Sequence, residues 1–111
     1  MTDCIFCDII SGRRPADYVL KNDTVVVFKD IHPQAPVHML IVPRKHIRSI
    51  NDLTADDNPI VSKMIETGKE TARRVGIAES GYKLLFNVER GGGQIIFHLH
   101  LHLVGGWSKN I

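Results

Sequence analysis

Among the 111 residues there are only two cysteines, five prolines and one tryptophan, and no stretch of Lys and Arg dense enough to form a basic arm. With a formal net charge of only +2, the chain is poorly suited to extended nucleic acid, while a small anion stays within reach. No apolar run approaches the length of a membrane span, and Met1-Thr-Asp-Cys4 lacks the basic-then-apolar layout of a secretory leader. These absences point to the cytoplasm and to no membrane partner. In a reducing compartment the one Cys4-x-x-Cys7 pair suggests metal or redox chemistry before a structural disulfide. There is no internal repeat, linker or low-complexity segment, and 43% hydrophobic with 23% charged residues is a globular composition. The length fits one domain over residues 1–111 with a modest core.

What the chain does have is concentrated near its end. Three of its six histidines alternate with leucine in Phe97-His98-Leu-His100-Leu-His102-Leu-Val104, directly behind Gly91-Gly92-Gly93-Gln94. Period-two alternation predicts a strand over this stretch, with Phe97, Leu99, Leu101 and Leu103 entering a core and the three imidazoles lining the other face. Glycines upstream allow backbone N–H groups to approach an anion closely, so a phosphate cradle beside a row of imidazoles is the leading expectation. A neutral imidazole is a nucleophile that needs no separate base, and His100 is the first candidate to attack a bound phosphorus. The rival chemistry is a metal held by the triad itself; it leaves the glycine loop unexplained, and no carboxylate nearby in sequence is placed to orient the rings.

The remainder supplies the scaffold. Ile5, Phe6, Ile9 and Ile10 at four-residue spacing predict a short N-terminal helix closed by Gly12. Tyr18–Leu20 and Thr24–Phe28 predict a hairpin around Lys21-Asn22-Asp23, and His38–Val42 a central strand stopped by Pro43. A long helix starts at either of two caps, Thr54 with Asp57 or Asn58 with Pro59, and carries the stripe Ile60, Val61, Met64, Ile65, Gly68, Ala72 and Val75 up to Gly76. Tyr82–Phe86 is a further strand. The class is α+β: an antiparallel sheet of about five strands with one long and one short helix. Such a sheet leaves an edge and a partly covered face, and a homodimer is expected to complete the core.

The motif His98-Leu-His-Leu-His-Leu-Val104 matches the signature of the histidine-triad (HIT) superfamily, and its surroundings resemble the HINT branch of nucleotide phosphoramidase-like hydrolases. The resemblance extends through Ile5-Phe6 with Ile9-Ile10, Phe28-x-Asp30-Ile31, Pro33-Gln-Ala-Pro36 with His38, Pro43-x-Lys45-His46, and Asn87 with Gly92-Gly93-Gln94. It implies a HIT-like fold and a purine nucleotide substrate, with His100 forming a nucleotidyl-histidine intermediate. His102, His38 and His98 would complete the catalytic group, and His102, Asn87 and the Gly93-Gln94 backbone would hold the phosphate. Asp30 would bind the ribose hydroxyls, and Ile5, Phe6, Ile9, Phe28 and Ile31 would line the base pocket. Read without the resemblance, Asp30 serves equally as a loop residue in an Asx-turn, Asn87 as a turn cap, and the apolar residues as core. His32 is read as a surface histidine.

The resemblance to bacterial members carrying Cys-x-x-Cys also implies a structural zinc on Cys4, Cys7, His46 and His98, which would withdraw His98 from proton relay. The alternative is two reduced cysteines, one packed as a small hydrophobe. Three departures bear on the substrate: Ile95 stands where many HINT proteins have a serine donor, Glu89 where glycine or a small polar residue is common, and the tail after Trp107 is short. A catalytically weak nucleotide-binding module is therefore the second expectation, and a triad-bound metal hydrolase the third.

Overall fold

The computed structural model describes residues 4–107, so the segment read for a leader pattern and the polar tail after Trp107 lie largely outside the described residues. The elements run α1 (Ile5–Ile10), β1 (Tyr18–Lys21), β2 (Val25–Lys29), β3 (Val37–Pro43), α2 (Asn58–Arg74), β4 (Tyr82–Leu85) and β5 (Leu101–Gly105). All the pairings are antiparallel, in the order β1-β2-β3-β5-β4. This is the expected α+β sheet with β3 at its centre.

Local chemistry explains the element ends. Asn22 turns the β1–β2 hairpin because its Oδ1 accepts from the N–H groups of Thr24 and Val25 at 3.0 and 2.9 Å. Of the two predicted helix starts the first forms as a cap, whereas Asn58 is not a cap but the first residue of α2, whose N-cap is Asp57. Thr54 and Asp57 form a reciprocal capping box around a single 3₁₀ turn, and α2 follows with Pro59 in its first turn.

The stripe on α2 differs from the predicted one. Ile65 is exposed, whereas Thr67 and Thr71 are buried. Their hydroxyls permit this, since Thr71 Oγ1 donates to the Thr67 carbonyl at 2.8 Å and Thr67 Oγ1 accepts from Asn22 Nδ2 at 3.2 Å. The buried set Met64, Thr67, Gly68, Thr71 and Ala72 keeps the three-and-four spacing of one helix face. Gly68 permits close packing on β4, because a Cβ there would meet Leu84 Cδ2 at 3.1 Å.

The two sheet faces carry different cores. Val25, Val27, Met39, Ile41, Leu101 and Leu103 pack with Met64 and Ala72 beneath α2. On the other face Val26, Phe28, Leu40 and Val42 pack with Phe6 and Ile9 of α1. That second face also carries His38 and His102, because His38 opposes Val104 and Leu40 opposes His102 across β3 and β5.

The histidine row is only partly strand. Ladder pairing begins at Leu101, and residues 97–100 form a bent approach to it. Phe97 therefore does not enter the core as predicted. Its ring is half-buried beneath the guanidinium groups of Arg48 and Arg90, at 4.7 and 5.7 Å from the ring centroid. Leu99 is nevertheless buried with the α2 core, its N–H donating to the Ile47 carbonyl at 2.7 Å.

Candidate functional site

The bend at residues 97–100 separates the three imidazoles. His98 is fully buried, and its Nε2 lies 2.8 Å from the Pro43 carbonyl. A carbonyl only accepts, so Nε2 carries the proton and Nδ1 presents a lone pair. That lone pair faces Cys4 Sγ at 3.2 Å, Cys7 Sγ at 3.5 Å and His46 Nδ1 at 3.1 Å. Cys7 Sγ is itself 3.3 Å from His46 Nδ1. The four donor atoms lie within 4.8 Å of one another, and this cluster can hold a metal ion. Burial, reinforced by neighbouring Cys4, pushes the Cys7 thiol up to about 11, while burial lowers His98 to about 4. Both thiols belong to α1: Cys4 caps it by accepting from the Cys7 N–H at 3.2 Å.

His100 turns the other way. Its Nδ1 lies 2.7 Å from the carbonyl of His98, so Nδ1 carries the proton and Nε2 is left as the unprotonated nitrogen. The ring packs edge-on to Phe6 at 5.1 Å and to His102 at 4.9 Å between centroids. Burial lowers its pKa and favours the neutral form.

A chain of donors fixes the remaining pair. The Gln34 N–H donates to His38 Nδ1 at 3.0 Å, so His38 holds its proton on Nε2 and donates it to His102 Nδ1, also at 3.0 Å. His102 is thereby left with a donor at its own Nε2. Burial first, then His100 and His38, lowers His102 to about 4. Asp30 Oδ2 stands 3.3 Å from the same His38 Nε2. A carboxylate therefore does lie beside the histidines, brought there by β2 and invisible in local sequence.

Asp30, His38 and His102 also place their donor atoms within 4.8 Å. Proton placement distinguishes the two groups: His38 receives the Gln34 N–H on one nitrogen and needs a proton on the other, so it offers no lone pair to an ion, whereas His98 does. His100 belongs to neither group, so among the described residues the triad does not converge on one metal.

A cleft of about 850 Å³ opens above His100 and His102. Of the candidate nucleotide-binding residues, Ile5, Phe6, Ile9, Phe28, Asp30, Ile31, Asn87 and Gly93 line it, together with His38. Ile31 and Ile95 stand exposed along the cleft, at 81% and 87% of their surface. Asp30 also makes the turn read for it, Oδ1 accepting from the His32 N–H at 2.8 Å. His32, read only as a surface histidine, is exposed but also lines the cleft.

Gln94 lies outside the cleft lining and is 3% exposed. The loop also differs from the simplest cradle. The N–H groups of Gly92 and Gln94 donate to the Glu89 carbonyl and that of Gly93 to the Arg90 carbonyl, each at 3.0 Å, while Asn87 Nδ2 donates to the Gly92 carbonyl at 2.8 Å. These donors close the loop on itself around Gly93, whose φ of 87° suits glycine. Sequence reading missed Arg14, Lys83, Leu85 and Trp107 in the lining, and the bracing of the loop by Arg48 and Ser49.

Comparison with known proteins bears on the family and the fold. The family model described as scavenger mRNA decapping enzyme C-term binding matches residues 3–110. The chain is a homologue of the purine nucleoside phosphoramidase of Escherichia coli K12, 43% identical over 104 residues, covering 94% of this chain and 87% of the relative. A HIT family hydrolase from Legionella pneumophila superposes with a TM-score of 0.93 at 45% identity, covering 96% of this chain and 95% of the other. A histidine triad protein from Clostridium difficile superposes with a TM-score of 0.94 at 35% identity, covering 100% and 96%. Among the described residues no helix is long and apolar enough to cross a membrane.

Proposed function

Because the chain belongs to the histidine-triad (HIT) family of hydrolases, we propose that it cleaves purine nucleoside phosphoramidates, AMP joined through phosphorus to an amine, by way of a nucleotidyl-histidine on His100. The observation carrying this reading is the 2.7 Å bond from His100 Nδ1–H to the His98 carbonyl, which leaves Nε2 unprotonated within the cleft.

The imidazole attacks the α-phosphorus, the P–N bond to the amine breaks, and the amine nitrogen takes a proton from solvent as it leaves, a proton that the water of the second step returns. Water then cleaves the bond between phosphorus and His100, releasing the nucleoside monophosphate and restoring the ring. His102 supports both steps as a donor to a phosphate oxygen, held in that tautomer by His38. Asn87 and the Gly93-Gln94 backbone take the phosphate, which requires their loop-internal bonds to be shared or exchanged. Asp30 takes the ribose hydroxyls. Ile5, Phe6, Ile9, Phe28 and Ile31 take the base.

Zinc is the metal for Cys4, Cys7, His46 and His98. A tetrahedral zinc with bonds of about 2.3 Å to sulfur and 2.05 Å to nitrogen separates two nitrogens by about 3.3 Å and sulfur from nitrogen by about 3.6 Å. The two nitrogens are 3.1 Å apart and three of the four sulfur–nitrogen pairs 3.2–3.5 Å, close to that size, with all four donor atoms within 4.8 Å of one another. The ion would tie α1 to the start of the histidine row and leave His98 out of proton transfer. Using both cysteines as ligands fits a reducing, cytoplasmic setting.

Residues 1–111 act as one HIT domain in a homodimer, a reading supported by the edge positions of β1 and β4 and by exposed Ile65 on α2. The second reading, a nucleotide-binding module with little turnover, is favoured by Ile95, which supplies no side-chain donor at the cleft. His100→Ala separates the possibilities: nucleotidyl transfer to the protein disappears while AMP binding persists. Undiminished turnover in that variant refutes the mechanism, and tight AMP binding by the wild-type protein with no turnover on any phosphoramidate supports the second reading.

A further inference from the structure

The connector between β3 and α2 grips the glycine loop through residues the proposed chemistry does not use. Glu89, just before the loop, is the one non-glycine residue with positive φ among those described, at φ 61° and ψ 175°. Side chains rarely adopt that backbone region, and they persist there only where their surroundings over-determine them. The surroundings here are strong. Arg48 donates to both carboxylate oxygens, from Nη1 at 2.7 Å and from Nη2 at 2.9 Å, and Ser49 Oγ donates at 2.6 Å from a fully buried position.

Of these two connector residues, Arg48 also reaches the loop's other end. Gln94 Nε2 donates to the Arg48 carbonyl at 2.9 Å, Gln94 Oε1 accepts from the Glu89 N–H at 2.9 Å, and the Arg48 guanidinium covers Phe97. Positive φ at Glu89 accompanies a carbonyl directed into the loop, where it accepts from both Gly92 and Gln94. Three glycines in a row have wide conformational freedom of their own. Their position is therefore set at both ends by one short segment, which also receives the Leu99 N–H beside His98 and His100.

We propose that Arg48, Ser49 and Glu89 form a positioning clamp for the glycine loop, so that phosphate capture beside His100 depends on an ion pair that does not line the cleft. The inference rests on the nucleotide reading above. It adds positioning residues and a cause for the acidic residue at a place where small residues are common.

The test compares AMP with adenosine, by calorimetric affinity, together with kcat/KM on adenosine phosphoramidate, in wild type, E89A, E89G and E89Q. The clamp predicts that E89A and E89G weaken AMP binding and lower kcat/KM by about tenfold or more, since small misplacements of positioning groups carry such factors. Adenosine, which has no phosphate, should bind within twofold of wild type, a result that also shows the variants are folded. Glycine adopts positive φ freely, so a loss in E89G reports the missing clamp and not backbone strain. E89Q keeps the shape and one acceptor oxygen, and should recover part of the loss. Should E89A not fold, R48K, which keeps the charge but loses the two-pronged fork, carries the same prediction.

The clamp is overturned if wild type prefers AMP to adenosine and E89A and E89G match it, or if the variants lose both ligands alike. A wild-type protein with no preference for AMP over adenosine contradicts the nucleotide reading itself and removes the clamp's role with it.

Discussion

Acidification from pH 7 to pH 5 should destabilise this protein through its histidines before its carboxylates respond. His98 is fully buried, and its pKa falls from 6.5 to about 4, mainly through burial. A group with a lowered folded pKa binds fewer protons folded than unfolded, so stability is lost as pH drops below 6.5 and the loss levels off below about 4. For His98 alone this linkage amounts to about 2 kcal/mol between pH 7 and pH 5. His100 and His102, also lowered by burial, act in the same direction. Glu89, held down to about 2 by Arg48, contributes stability above about 4.5 that is lost as pH falls toward 2, so it adds little to this window. Urea unfolding at pH 7, 6 and 5 with a constant m-value measures the effect, and His98→Asn should flatten the slope by the His98 share. Protein as isolated and after chelator treatment should both show the loss, because protons compete with a metal for the same nitrogen. Stability that is flat or rising from pH 7 to pH 5 would refute the argument that burial keeps His98 neutral in the fold.

Two further outcomes test the scaffold. Cys4→Ala removes a ligand atom of the Cys4, Cys7, His46 and His98 cluster, and elemental analysis should show zinc per chain falling well below that of the wild-type protein; equal zinc in both rejects the site. Leu103→Ala, at a fully buried position between Met39 and Leu84 in the register, should cost about 2–5 kcal/mol and lower Tm by roughly 10–20 °C, and a smaller shift would place Leu103 outside the tightly packed core.

Much of the architecture follows from local pattern. The alternating apolar and β-branched runs gave β1 to β4 within a residue or two, and of the two caps read before α2 only Thr54 with Asp57 forms, because the 3₁₀ turn it closes runs straight into α2 and leaves Asn58 inside the helix with Pro59 in its first turn. Period-two alternation correctly sent Leu99, Leu101 and Leu103 to one face. It misplaced Phe97, since alternation carries no information about where ladder pairing stops, and two arginines from other segments offered that ring a better partner. Ile65 was misassigned for a related reason: polarity alone makes Thr a surface residue, and only the hydrogen bonds of Thr67 and Thr71 let them be buried in the α2 face.

The sequence by itself determined the reagents: a histidine row behind glycines, a Cys-x-x-Cys pair, and the strands and helices to carry them. Their side-chain types and spacings are local properties, readable from the chain. Tertiary structure alone decided how the three like imidazoles differ, because each proton position is set by a partner distant in sequence or by the bent backbone. Pro43 turns the His98 lone pair toward the cysteines, the His98 carbonyl frees His100 Nε2, and Gln34 through His38 leaves His102 a donor. The ion pair of Arg48 with Glu89, 41 residues apart, is of the same kind. Only folding brings such partners within hydrogen-bond distance, and a hydrogen bond acts only at that range.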